Sequence, residues 1–231
     1  MRLQYRKTLF RTNETYIVRT FKSRNDWLIG RADGIGGSDA SAAMARNPWR
    51  SNLELWQIKT GRKIAPDISN NERVIYGQTA EEYIRRLYQL QHKDQIDVHY
   101  MPNVVLQNRK DPFMLYSPDG LLQDRDTGRC GILEIKTATP ITAAQREKWR
   151  DDKIPDNYFI QVLHGLNVTG FDFVDLVAEL TYAEDRTWRK TYRIERGDFL
   201  EELEYVREGV TDFWNEWIVP DKEPPLILKE I

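Results

Sequence analysis

The chain has a single cysteine, Cys130, among its 231 residues, so it can close no internal disulfide and supplies no multi-thiolate metal cluster. It also lacks an excess of positive charge. The 34 lysines and arginines face 36 aspartates and glutamates, for a formal net charge of −2. That balance excludes attraction of the whole surface to a polyanion; such contact would have to come from local basic clusters, offset in the total by grouped carboxylates. Long apolar runs are missing too. No span approaches membrane length, and the opening Met1-Arg2-Leu3-Gln4-Tyr5-Arg6-Lys7 has no apolar core of a secretory leader, so the expected location is the cytoplasm. There are no repeats and no low-complexity tracts. What is present, 40% hydrophobic and 30% charged residues, describes an ordinary globular protein long enough for one domain with a sizeable core.

The chemistry-bearing stretch is Ser117-Pro118-Asp119-Gly120, followed by Leu133-Glu134-Ile135-Lys136-Thr137. Between them, Asp124-Arg125-Asp126-Thr127-Gly128-Arg129 is rich in turn formers and has no apolar residue, which predicts the tip of a β-hairpin. In a strand, Glu134 and Lys136 share one face while Leu133 and Ile135 share the other. The hairpin then brings Asp119 toward Glu134. Two carboxylates and an ammonium on one edge are costly unless a divalent cation neutralises them.

Two upstream segments add to this. Gly34-Ile35-Gly36-Gly37-Ser38-Asp39 predicts a tight glycine turn with Ser38-Asp39 capping a helix from Ala40 to Ala45. A glycine-rich turn at a helix N-terminus presents free N–H groups, and with Arg31 seven residues before Ser38 it is suited to cradle a phosphate. From Asn71 to Gln91 the spacing predicts a long helix, with Tyr76, Ala80, Tyr83, Ile84, Leu87, Tyr88 and Leu90 in one apolar arc at about 100° per residue. Glu81 falls at the edge of that arc. Glu82 falls mid-way round the polar face with Arg85 and Arg86.

Pro118-Asp119 followed by Glu134-Ile135-Lys136 resembles the PD-(D/E)XK nuclease signature. The Gly34–Asp39 segment resembles the N-terminal motif of the YqaJ-like phage recombinase family, relatives of bacteriophage λ exonuclease. Tyr76-Gly77 with Glu81 resembles that family's helix carboxylate, and Ile154-Pro155-x-x-Tyr158-x-x-Gln161 its last motif. In order, these cover about residues 24 to 180. The resemblance implies an α/β fold, a restriction-endonuclease-like core with a central mixed β-sheet flanked by helices in the order αβββαβ. It implies a metal-dependent 5′→3′ exonuclease on linear double-stranded DNA, leaving 3′ overhangs for recombination with a single-strand annealing protein. Asp119 and Glu134 would hold Mg²⁺, or Mn²⁺ in its place, with the Ile135 carbonyl as a further ligand and Glu81 completing the shell. Lys136 would orient or help deprotonate the attacking water and stabilise the anionic transition state, and Gln161 would position that water or a neighbouring ligand. Arg31 and Ser38 would bind the terminal 5′-phosphate, with Ser117 and Tyr158 supporting the DNA site. A ring-shaped homotrimer is the oligomer the resemblance suggests.

The rest of the chain carries structure rather than chemistry. Tyr16 to Phe21 predicts a short strand in an N-terminal extension of residues 1–23, and Ser23 and Asn25 can cap a helix through Trp27, Leu28 and Ile29. A helical 5′-end-binding segment is expected over 24–70, including a helix from Asn52 to Gly61 flanked by Arg46, Arg50, Lys59, Arg62 and Lys63. The catalytic core is expected over 71–182, with a strand-rich run to Thr137, a helix from Thr142 to Arg150, a helix from Tyr158 to Val168 and a strand pair at Phe171–Leu180 and Trp188–Ile194. The remainder is a C-terminal strand, helix and tail over 183–231, where Trp214, Trp217 and Leu226-Ile227-Leu228 are candidate interface elements. Other readings of the same residues are a PD-(D/E)XK endonuclease or repair nuclease, and a non-catalytic DNA-binding protein of the same fold. A metal-free two-carboxylate glycosidase would need neither Lys136 nor a phosphate-binding turn.

Overall fold

A computed structural model describes residues 9–182 and 186–227. In chain order the elements are β1 (Tyr16–Thr20), α1 (Arg24–Ala32), α2 (Gly37–Ala43), α3 (Asn52–Lys59), α4 (Glu72–Gln91), β2 (Ile96–His99), β3 (Val104–Asn108), β4 (Leu115–Tyr116), β5 (Gly120–Asp124), β6 (Cys130–Ala138), α5 (Ala143–Glu147), α6 (Asp156–Thr169), β7 (Phe173–Thr181), β8 (Thr187–Glu195) and α7 (Leu200–Phe213). The strands form a mixed five-stranded sheet, β2-β5-β6-β7-β8, and a separate three-stranded sheet, β1-β3-β4. Among the described strands only β6 and β7 pair in parallel, joined by the crossover through α5 and α6.

The expected meander is therefore interrupted. β2 pairs with β5, and β3 and β4 leave to pair with β1 before the chain returns at Gly120. The predicted N-terminal strand finds its partner in that excursion, with Tyr16 opposite Asn108.

Alternation along the strands sorts the core into two layers. Leu133, Ile135, Phe173 and Val177 pack with Ile84 and Tyr88 of α4 on one face. Ile132, Val174, Leu176 and Ala178 pack on the other face with Val162, Leu163 and Leu166 of α6 and with α7. Glu134 and Lys136 have the parity of Ile132, so they point toward α6, as the alternation predicts.

Helix α4 departs from its predicted arc. Ile84 and Tyr88 are buried, but Tyr76, Tyr83 and Leu90 are exposed and Arg85, expected in solvent, is buried. The reason lies in β7, which carries two buried carboxylates on the α4 face. Asp175 is met by Arg193 and the Tyr88 hydroxyl, and Glu179 by Arg189 and the Tyr76 hydroxyl at 2.8 Å. Two tyrosine hydroxyls thus pin the helix to β7, from positions on either side of Glu81, and polar anchoring rather than arc width decides the rotation.

Other boundaries also move. The helix predicted to Arg150 closes at Glu147, with Thr142 as its cap and every residue exposed. Trp214 and Trp217 pack on the core, Trp214 stacking on Phe113 at 5.1 Å, and so serve the fold. Leu226 and Ile227 are exposed, and Leu228 lies outside the described residues.

One buried group ties α6 to the strand before Asp119. His164 Nε2 lies 3.1 Å from both the Ile35 and the Leu115 carbonyl oxygens, so this nitrogen carries the proton. Nδ1 is buried with no hydrogen-bond partner among the described residues. Burial pulls the imidazole pKa down to about 4, because a second proton would place an unanswered charge in the core. A folded-state pKa below the ordinary 6.5 contributes stability that is complete above pH 6.5 and lost as pH falls toward 4, about 3 kcal/mol in all. Melting temperatures of the wild type and His164→Gln, followed from pH 7 to pH 4, should converge over this window. Parallel curves would show that the imidazole does not titrate as its surroundings require.

Candidate active site

The site forms just before β5 starts, where β6 continues past the end of the β5–β6 ladder. The β5–β6 ladder begins at Gly120 opposite Leu133, so beyond Leu133 the edge of β6 has no antiparallel neighbour. Asp119 occupies that gap, and its Oδ2 accepts the Ile135 N–H at 2.7 Å in place of a strand partner. A strand residue's N–H and C=O project to the same edge, so the Ile135 carbonyl also faces Asp119. The Asp119 main-chain carbonyl accepts from Arg85 Nε at 2.6 Å, which fixes the loop to α4.

Glu134 is 2% exposed and fully engaged. Lys136 Nζ and Gln161 Nε2 each donate to Oε1 at 2.6 Å, and the Tyr116 hydroxyl donates to Oε2. Gln161 and Tyr158 stand one turn apart on α6, which starts at the Pro155 cap. The Tyr158 ring lies 5.3 Å from Lys136 Nζ. Ser117 Oγ is buried at the same loop with no hydrogen-bond partner among the described residues.

The electrostatics follow from crowding. Burial, then Glu134 and Glu81, push the Asp119 carboxyl well above the usual range, against the pull of Lys136 and the Ile135 N–H. Glu81 is raised by burial and by Glu134, while Lys136, Arg85 and Arg24 oppose the shift. Burial lowers the Lys136 ammonium pKa, but Glu134 and Asp119 more than reverse this and hold it above its ordinary value. Glu81, on α4, is thus electrostatically linked to Asp119, Glu134 and Lys136. Glu82 is exposed and paired with Arg86.

Among the described residues, no three His, Cys, Asp or Glu side chains converge tightly enough to form a ready ligand cage. Asp119 and Glu134 with the Ile135 carbonyl nevertheless make a hard-oxygen half-site in which buried negative charge lacks full compensation. That donor set fits an ion such as Mg²⁺, which keeps several of its own waters and needs only one or two carboxylates.

The glycine segment does something different from what its composition predicts. Gly34, Gly36 and Gly37 do not adopt positive φ. Gly34 is required by close approach: Ile35 pairs with the segment before β4, and a Cβ on Gly34 would lie 2.2 Å from the Phe113 carbonyl oxygen. Helix α2 begins at Gly37 rather than Ala40, with Gly36 as its cap residue, and Asp39 Oδ2 accepts the Gly36 N–H at 3.3 Å. Ser38 is exposed in the first turn. Arg31 returns to this turn, its Nη2 3.8 Å from where a Gly36 Cβ would stand, with its guanidinium 4.5 Å from the Trp27 ring. Beneath it, buried Asp39 is met by Lys59 Nζ at 2.8 Å and Arg50 Nη1 at 3.0 Å. Burial pushes the Asp39 carboxyl up, but Lys59, Arg31 and Arg50 outweigh it and hold the pKa below the ordinary value. Three cations around one carboxylate leave a local positive excess. Arg62 and Lys63, expected on the same basic surface, are instead paired with Asp221 and Glu54 at 2.6 Å.

Tyr116, Arg85 and the Asp39–Lys59–Arg50 cluster were not legible from motif spacing. Tyr116 is the clearest case. Its ring is enclosed by Gly37 and Gly165, where an added Cβ would come within 2.9 Å and 2.7 Å of ring atoms. The only sequence signal was a tyrosine ending the strand just before Ser117-Pro118-Asp119.

Residues 26–172 match the family model described as the YqaJ-like viral recombinase domain. The chain belongs to the YqaJ-like viral recombinase family. A curated member, the uncharacterized protein YqaJ of Bacillus subtilis (strain 168), is 30% identical over 205 residues, 88% of this chain and 59% of that protein. The chain therefore spans under two thirds of that relative's length. In fold, this YqaJ-like chain is similar to an alkaline exonuclease (LHK-Exo) from Laribacter hongkongensis, with a TM-score of 0.61, 21% identity, and coverage of 85% of this chain and 93% of the other. A second LHK-Exo structure, in complex with dAMP, matches with the same TM-score at 20% identity. Among the described residues of the YqaJ-like chain, no helix is long and apolar enough to cross a membrane.

Proposed function

We propose that the chain is a divalent-metal-dependent deoxyribonuclease that degrades linear duplex DNA from its ends in the 5′→3′ direction, leaving 3′ single strands for an annealing protein. The observation that carries this reading is the buried Glu134, held at both oxygens by Lys136, Gln161 and Tyr116 beside Asp119 at an open strand edge. Family membership and the fold shared with an alkaline exonuclease support it. Asp119, Glu134 and the Ile135 carbonyl would hold Mg²⁺ or Mn²⁺, with Glu81 acting through water. When bound, such an ion supplies Lewis-acid stabilisation of charge at the scissile phosphate. Lys136 carries a positive charge to the anionic transition state, Gln161 orients the groups on Glu134, and Tyr116 locks the Glu134 rotamer. Ser117 and Tyr158 line the approach for DNA. A ring-shaped homotrimer, suggested by the λ-exonuclease resemblance, would add processivity.

The decisive experiment is digestion of linear duplexes labelled at either end, with closed circles as control, in Mg²⁺ and in chelator. Equal attack on circles would replace the exonuclease with an endonuclease, and full activity in chelator would end the metal assignment. Glu81→Gln should slow cleavage at least roughly tenfold, the scale of an outer-shell ligand partner, whereas Glu82→Gln should leave the rate near wild type. Equal effects of the two would show that Glu81 has no part in the site.

Arg31 and Ser38 bind the terminal 5′-phosphate in this reading. A terminal phosphate carries more charge than an internal diester, and a guanidinium pairs with it strongly. A 5′-phosphorylated duplex should be digested faster than its 5′-hydroxyl counterpart, by roughly tenfold for one charged contact. Arg31→Ala should erase most of that ratio at fixed salt. A wild type indifferent to the 5′ group would remove the end-binding role.

A further inference from the structure

Trp49 is 71% exposed, yet the backbone carrying it is rigidly held. The buried Asn47 side chain accepts the N–H groups of Trp49 and Arg50 at 2.9 Å and 3.0 Å. Through Nδ2 the same side chain is tied to Ser41 Oγ at 3.0 Å and the Ser38 carbonyl at 3.3 Å. Arg50 is anchored in turn on Asp39. A lone exposed apolar side chain is ordinary, but an indole fixed on a loop locked to the glycine segment is not. Its position is specific as well. The ring lies 6.2 Å from Tyr158, tilted by 43°, and Tyr158 stands over Lys136. Through Arg50 the same loop reaches Asp39, the carboxylate on which Lys59 and Arg31 also act.

We propose that Trp49 is a stacking platform for a nucleobase of the bound DNA end, lying between the cations that face the end and the lysine that faces the scissile phosphate. Cationic contacts flanking an exposed ring are how proteins hold a single strand irrespective of sequence: the cations take the phosphates and the ring takes the π-face of the base. Tyr158, the indole's aromatic neighbour, is itself packed on Trp149, with those two ring centres 5.7 Å apart. This inference rests on the nuclease reading above and extends it to a base-binding subsite.

The test uses the full chain in chelator, so that DNA is bound and not cut. Affinity for a linear duplex is measured for the wild type, Trp49→Phe and Trp49→Leu, with melting curves to verify folding. Leucine stays apolar but has no π-face, so Trp49→Leu should bind roughly tenfold more weakly while Trp49→Phe, which keeps a ring, stays within about threefold. In parallel, the wild type is irradiated on a duplex carrying 5-iododeoxyuridine at a terminal nucleotide, and the adduct is mapped; it should fall on Trp49. If Trp49→Leu binds as tightly as the wild type and the adduct lies elsewhere, the platform is refuted while a cleaving wild type leaves the nuclease reading intact. If Trp49→Leu instead dissolves an oligomer in light scattering with DNA affinity unchanged, the indole is a contact between copies and the proposal fails. A wild type that neither binds nor cleaves DNA would overturn both readings.

Discussion

Replacing Asp119 by asparagine should abolish cleavage and at the same time raise the melting temperature of the metal-free protein. The two effects have one cause. Asp119 sits at the open edge of β6 with its charge penalised by burial and by Glu134 and Glu81. A carboxyl whose folded-state pKa is raised costs stability at neutral pH, because the unfolded chain carries the charge freely and the folded site penalises it. The asparagine Oδ1 can still accept the Ile135 N–H, now made at 2.7 Å, so local structure is preserved while the repulsion disappears. The chemistry would not survive, because a neutral amide is a poor partner for a hard cation and several kcal/mol of charge stabilisation correspond to at least about a thousandfold in rate. Product formation from an end-labelled duplex in Mg²⁺, together with thermal melting in chelator, measures both. A variant that cleaves at close to the wild-type rate would remove Asp119 from the reaction site.

Lys136→Ala is the second large effect, and it should separate binding from rate. Lys136 Nζ donates to Glu134 Oε1, and Gln161 and Tyr116 remain on Glu134 when the ammonium is gone, so the carboxylate keeps its place. Affinity for Mg²⁺ or Mn²⁺ measured by calorimetry should not weaken, since the change removes a competing positive charge. The cleavage rate should fall at least roughly a hundredfold, the usual loss on removing one preorganised electrostatic contact to a transition state. Arginine should not restore it, because a planar guanidinium cannot occupy the position of a compact ammonium between Glu134 and the Tyr158 ring. Rates within a few-fold of wild type would show that Lys136 serves only to neutralise Glu134.

Much of this protein was determined by local pattern, and those parts were legible. Strand alternation put Glu134 and Lys136 on one face and Leu133 and Ile135 on the other, because side-chain direction in a strand has a period of two whatever surrounds it. Helical phase separated Glu81 from Glu82, and the turn formers of Asp124–Arg129 set the hairpin that brings Asp119 to β6. What the sequence left open was decided by long-range contacts whose partners are far apart in the chain. The face that α4 buries was settled by Asp175 and Glu179 calling for the hydroxyls of Tyr88 and Tyr76, 87 and 103 residues away. Gly34 and Gly37 proved to be needed for space beside Phe113 and Tyr116, which no turn propensity could reveal. The lock on Glu134 by Tyr116 exists only because β3 and β4 leave the meander for a second sheet and return beneath α6. Periodicity and turn chemistry act over a few residues and can be read along the chain. The pairing of buried charges and the filling of space depend on which segments meet, and only the tertiary structure decides that.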